Sequence, residues 1–82
     1  MEKLRKNIDK IDNKILELLN KRAKFVIKIG KIKQKEKKDV LVPQRETELL
    51  ERLVSINKGP MTNKMVLILF QDIIDTLKVL QK

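Results

Sequence analysis

The 82-residue sequence predicts an all-α fold with three helices in each chain, one long, one short and one of medium length. Two observations carry this prediction. Apolar residues recur at alternating steps of three and four along the chain, which is the spacing of a helix face. Strong helix-stopping signals occur at only two places, and no segment shows strand-like alternation of useful length. A third observation, the length of the first helix, predicts how the chains assemble.

The first segment has the heptad spacing of a helix seam. Arg22 occupies a seam position that the spacing would otherwise give to an apolar residue. Gly30 is tolerable inside a helix, and no proline occurs before Pro43. We therefore predict one helix over residues 1–36. The apolar seam consists of Leu4, Ile8, Ile11, Ile15, Leu18, Phe25, Ile29 and Ile32.

Two further helices follow. The run 37–42 breaks the apolar period, and Pro43 suits the first turn of a new helix. Gly59 and Pro60 form a stop signal, because glycine accepts a left-handed cap and proline cannot continue a helix. Thr62 is a suitable N-cap. The predicted helices cover residues 43–57 and 62–81, with apolar faces formed by Leu49, Leu50, Leu53 and Ile56, and by Val66, Phe70, Ile73 and Leu77.

The length of the first helix predicts an obligate homodimer. A helix of about 35 residues is about 50 Å long, whereas a compact monomer of this size has a radius of gyration of about 12 Å. The two shorter helices cannot cover such a seam, and pairing of the long helices is the simplest way to bury it. Arg5 lies about 100° around the helix from Arg22 and roughly three to five turns away, so the two could meet only across a dimer. Residues 1–82 are predicted to form a single helical domain.

The composition excludes several classes of protein. The chain has no Cys and no His, which excludes a zinc finger, a thiolate nucleophile, a Ser-His-Asp triad and a disulfide. A hydrophobic fraction of 41% suffices for a packed core although 38% of the residues are charged. No apolar run approaches the roughly 20 residues of a membrane span, and the N-terminus lacks a signal-peptide core. We expect a cytoplasmic protein with no metal and no membrane partner.

The positive charge is concentrated in the first half of the chain. Residues 1–38 hold 14 basic and 5 acidic groups, while residues 39–82 hold 6 of each, so the first half carries the whole net charge of +9. Such an excess suits a nucleic acid, an acidic membrane surface or a small anion. A basic nucleic-acid-binding dimer is therefore one alternative. The aromatic residues needed for base stacking are limited to Phe25 and Phe70, both on apolar faces, so we expect no nucleic-acid partner and assign most lysines to a solvated surface.

Several polar residues occupy positions where the pattern calls for apolar ones, and such misfits tend to mark functional sites. Lys33 follows Arg22 by 11 residues, which places the two side chains about 20° apart around one helix. Each misfit alone has an ordinary structural explanation, but several on one interior surface indicate a charged site. These residues are Arg22, Lys33, Glu46 with Arg45 beside it, Gln81, and Arg5, which could join the others across a dimer.

These residues and their spacing resemble the all-helical (AroQ-type) chorismate mutases. The resemblance implies an intertwined all-α homodimer with two active sites, which converts chorismate to prephenate in phenylalanine and tyrosine biosynthesis without a cofactor. The matching segments are Leu4-Arg5, Ile8-Asp9, Ile11-Asp12, Ile15-Leu16, Leu18-Leu19, Arg22, Ile29-Gly30-Lys31-Ile32-Lys33, Val42-Pro43-Gln44-Arg45-Glu46, Asn57-Lys58-Gly59-Pro60, Phe70-Gln71-Asp72-Ile73 and Leu80-Gln81.

The resemblance also assigns roles to individual residues. It implies substrate-binding arginines, a lysine and a glutamine as catalytic contacts to the ether oxygen, and a glutamate that binds the substrate hydroxyl. In this sequence the arginines are Arg5 (from the other subunit), Arg22 and Arg45, the ether-oxygen contacts are Lys33 and Gln81, and the glutamate is Glu46.

Two positions depart from the family pattern. Leu77 stands where a small hydroxyl residue is common, with Thr76 beside it, and Val42 stands where an acidic residue is sometimes found. Two alternatives stay open besides the nucleic-acid-binding dimer. One is an isochorismate–pyruvate lyase, which is similar in the same charged positions. The other is a regulatory or scaffold module that kept the fold and lost the activity.

Overall fold

Three α-helices make up the described part of the chain, as predicted. The computed structural model describes residues 1–36 and 43–81, so the departure at Val42 and the break at 37–42 lie outside the described residues. No helix in these two ranges is long and apolar enough to cross a membrane, and they contain no strand. The helices are α1 (Glu2–Lys35), α2 (Pro43–Ile56) and α3 (Asn63–Lys78), and α3 continues into a 3-10 turn (Val79–Gln81).

Helix α1 dominates the shape of the molecule. The chain measures 52 × 24 × 16 Å with a radius of gyration of 15.4 Å, well above the roughly 12 Å of a compact chain of this length. On α1 only Val26 and Gly30 are buried. The seam residues from Leu4 to Ile32 are 44% to 64% exposed. The rest of the chain therefore leaves the seam uncovered, as the length of the helix predicts.

The connection between α2 and α3 is held by local hydrogen bonds. The Asn57 side chain accepts from the Gly59 backbone N–H (3.1 Å) and donates to Asn63 Oδ1 (3.0 Å). Gly59 has φ 73°, which is the left-handed conformation predicted for it. The Thr62 hydroxyl accepts from the Met65 backbone N–H at 3.1 Å, which confirms the predicted N-cap. The tight turn places the first turn of α2 alongside the end of α3.

The buried core is small, and its residues come from α1 and α3. Its buried hydrophobic residues within the described ranges are Val26, Val66 and Ile74, at 9%, 6% and 5% exposure. The apolar pattern of α3 predicts Ile73, and not Ile74, on the buried face of the helix. Ile73 is only half-buried. Val66 of the predicted stripe is buried and its other members are half-buried, so the predicted stripe is correct and Ile74 widens it.

Helix α1 and the 3-10 turn approach each other closely. A Cβ atom built on Gly30 would lie 2.7 Å from both the Cα and the carbonyl oxygen of Gln81. These are backbone atoms, so no side-chain rotation relieves the overlap. Gly30, which the sequence shows only as tolerable in a helix, is the residue that lets Gln81 pack against α1.

We expect Gly30→Ala to destabilise the protein by about 1–3 kcal/mol, the usual range for forcing atoms into a packed contact. The sign of the change in unfolding free energy is diagnostic, because a Gly→Ala change at an uncrowded helix position stabilises a protein by about 1 kcal/mol. Urea unfolding of both proteins at the same chain concentration measures the difference in unfolding free energy between variant and wild type. Gln34→Ala, at an exposed position on the next turn of α1, serves as the control and should change stability by less than about 0.5 kcal/mol. A Gly30→Ala protein more stable than wild type would show that Gln81 does not press on this position.

Candidate active site

A pocket of about 280 Å³ lies where the three helices converge. Its walls come from the C-terminal half of α1, the first turn of α2 and the last turns of the chain. These segments are far apart in the sequence, so the tertiary fold creates the pocket. The lining residues are Arg22, Phe25, Val26, Ile29, Lys33, Arg45, Glu46, Ile74, Lys78 and Gln81.

The pocket collects the predicted site residues Arg22, Lys33, Arg45, Glu46 and Gln81. All five come from one chain and face one space, although each had an ordinary explanation when considered alone. The convergence was predicted from the positions at which the apolar pattern fails. Their roles toward a substrate remain predictions.

The remaining predicted residue, Arg5, lies elsewhere. Its side chain is 67% exposed, and its Nη1 atom is 4.0 Å from Glu2 Oε1. The rise of an α-helix places it about 25 Å from Arg22 along α1. Arg5 therefore takes no part in the pocket formed by its own chain.

Helix periodicity explains why α1 contributes both a cationic and an apolar wall. Arg22, Ile29 and Lys33 follow one another at steps of seven and four, so they share one face. Val26 lies on the same face and is buried, while Arg22 and Lys33 are half-buried. Long cationic side chains of this kind can cover apolar surface with their stems while the charged ends stay in a polar environment.

The electrostatics of the pocket favour an anion. Four cationic side chains and one carboxylate line it. Two of the cations are guanidinium groups, which bind carboxylates through paired hydrogen bonds and remain charged at every physiological pH. The pocket therefore suits a small ligand that carries more than one negative charge.

Lys78 is a pocket residue that the sequence analysis missed. Its Nζ atom lies 2.8 Å from Glu46 Oε2 and 3.8 Å from Asp75 Oδ1. The hydrogen bond to Glu46 raises the pKa of Lys78 above its ordinary value of 10.5, and the charges of Glu46 and Asp75 add to the effect. The sequence contains a signal for Lys78, because Ile74, Lys78 and Gln81 follow one another at steps of four and three and therefore share one helix face.

The described residues form an all-helical fold with a cation-rich pocket that suits a small anion. Residues 4–82 match the family model of chorismate mutase type II. The chain belongs to this family, which confirms the resemblance to the all-helical chorismate mutases.

Individual relatives and structures agree with the family match. The chain is 38% identical over 86 residues to the bifunctional chorismate mutase/prephenate dehydratase of Aquifex aeolicus, covering 100% of this chain and 24% of that protein. It is 32% identical over 83 residues to the chorismate mutase of Methanocaldococcus jannaschii, covering 100% of this chain and 84% of that protein. The structure of chorismate mutase (form II) from Thermus thermophilus superposes with a TM-score of 0.96 at 31% identity, covering 98% of this chain and 91% of that one. The matched region spans between 14% and 24% of the length of the bifunctional relatives.

Proposed function

We propose that the chain catalyses the rearrangement of chorismate to prephenate, an isomerase reaction of phenylalanine and tyrosine biosynthesis. The supporting observation is the convergence of Arg22, Lys33, Arg45, Glu46 and Gln81 on one pocket. Membership of the chorismate mutase type II family supports the same reaction. The cytoplasmic location stays a prediction.

The proposed reaction is an intramolecular Claisen-type rearrangement in which one ether C–O bond breaks and one C–C bond forms. It transfers no proton and uses no nucleophile, so the absence of His and Cys from the sequence is no obstacle. The protein has to hold a flexible dianion in its folded conformer and to stabilise the charge that develops on the ether oxygen. Arg22 and Arg45 would perform the first task by binding the substrate carboxylates.

The second task would fall to Lys33 and Gln81. An ammonium group and a side-chain amide that both point at the ether oxygen stabilise the transition state more than the ground state, because negative charge gathers there as the bond breaks. Glu46 would accept a hydrogen bond from the substrate hydroxyl. The apolar wall formed by Val26, Ile29 and Ile74 would exclude water and strengthen these interactions.

We also propose that the active form is a homodimer. The chain exposes 7207 Å² of surface, whereas a folded monomer of 9.7 kDa should expose about 5,100 Å². The excess, together with the exposed seam of α1, is the surface that a second copy would cover. In such a dimer the N-terminal part of α1 could reach the pocket of the other subunit and bring Arg5 to it.

Mixed dimers test the contribution of Arg5. Arg5→Ala and Arg22→Ala homodimers should both be strongly impaired on chorismate. In a mixed dimer, one pocket combines an intact Arg22 with an intact Arg5 from the other chain, so about half of the wild-type activity per dimer should return. Co-expression of differently tagged chains and purification on both tags isolates the mixed species. If its activity stays at the level of the two parents, Arg5 does not act across the interface.

Assay of the purified protein on chorismate and on isochorismate tests the proposed function. We expect formation of prephenate from chorismate and no release of pyruvate from isochorismate. Pyruvate release without prephenate formation would identify the lyase instead. Lack of turnover of both substrates by the folded protein would leave the scaffold module as the correct interpretation.

A further inference from the structure

We propose that Lys78 is a positioning residue. It holds the Glu46 carboxylate in the orientation that accepts a hydrogen bond from the substrate hydroxyl, and its ammonium group offsets the negative charge of that carboxylate. The inference rests on the proposed function and adds to it a residue outside the set predicted from the sequence. It starts from the ion pair between Lys78 and Glu46 at 2.8 Å inside the pocket.

The position of the pair in the fold supports this role. Glu46 lies in the first turn of α2, and Lys78 is the last residue of α3. The ion pair therefore joins two helices at the pocket. The two side chains are only 25% and 30% exposed, so water screens the pair less than it would screen a surface pair. A glutamate side chain has several rotatable bonds, and an ammonium group at hydrogen-bond distance restricts them.

The charge of the ligand gives the pair a second purpose. A carboxylate that faces a dianionic substrate repels it, and the ammonium group of Lys78 offsets this repulsion. Glu46 can then serve as a hydrogen-bond acceptor for the hydroxyl without opposing the binding of the two carboxylates. Asp75, 3.8 Å from the same Nζ atom, is 57% exposed and holds Lys78 from the solvent side.

Steady-state kinetics on chorismate test the role of Lys78. We expect Lys78→Met to raise KM about tenfold with a smaller change in kcat, because the lost interaction acts on binding of the hydroxyl and of the dianion. Lys78→Arg, which keeps the positive charge, should restore most of the affinity. Lys64→Met removes the same charge from an exposed position in the first turn of α3 and should change KM less than about twofold. Helical circular dichroism of each variant shows whether it is folded.

A double-mutant cycle with Glu46→Gln separates positioning from direct substrate binding. If Lys78 acts through Glu46, Lys78→Met should add less than about twofold to the KM of the Glu46→Gln protein. Equal effects of Lys78→Met in both backgrounds would overturn the positioning role, as would a KM unchanged from wild type. These results would leave the proposed function intact, because wild-type turnover of chorismate tests it separately. A wild-type protein without turnover would overturn both.

Discussion

Replacement of Lys33 by alanine should lower kcat for chorismate by about 100- to 1,000-fold, with a smaller change in KM. We expect the effect on kcat because negative charge develops on the ether oxygen only as the C–O bond breaks. An ammonium group directed at it therefore contributes more to the transition state than to the bound substrate. The loss of chorismate and the appearance of prephenate at saturating substrate measure kcat directly.

Lys31→Ala is the matched control for this variant. Lys31 is an exposed residue on the same turn of α1, and its removal changes the net charge by the same amount. We expect its kcat to stay within about twofold of wild type. A Lys33→Ala protein that keeps near-normal kcat would contradict the assigned role of Lys33.

Gln81→Glu should make the reaction depend on acid. At neutral pH the new carboxylate is ionised and repels the developing charge on the ether oxygen, so kcat should fall by about 100-fold or more. As the pH falls, the carboxyl group takes up a proton and can donate a hydrogen bond as the amide does. The activity of the variant should therefore rise toward acidic pH. The pH profile of kcat, recorded for wild type and variant in the same buffers, measures the effect.

The control for the pH profile is Gln34→Glu. It makes the same chemical change at an exposed position of α1, and its profile should follow that of wild type. A Gln81→Glu protein whose kcat does not vary with pH would show that residue 81 does not contact the ether oxygen.

The helices could be predicted because their signals are local. The steps of three and four along α1, Pro43 at the start of α2 and Thr62 before α3 all act within a few residues of the structure they determine. The contact between Gly30 and Gln81 could not be predicted in this way. It depends on how closely two distant backbones pack, and a glycine inside a helix does not reveal which segment approaches it.

The candidate site was predictable where a polar residue interrupted an apolar pattern. Arg22 and Gln81 stood out for this reason, and the pocket contains both. Lys78 did not stand out, because a lysine near the end of a helix is common and favourable there. Its spacing from Ile74 and Gln81 was the one local signal, and its ion pair with Glu46 arises only from the packing of α2 beside α3.

The small number of buried residues has a consequence for the cell. Val26, Val66 and Ile74 are the buried hydrophobic residues within the described ranges, and so few side chains give a lone chain little free energy of folding. In the proposed dimer, folding and association become one reaction governed by mass action, and the midpoint of unfolding rises with the total chain concentration. Expression level would then set both the amount of the protein and the fraction of its chains that are folded.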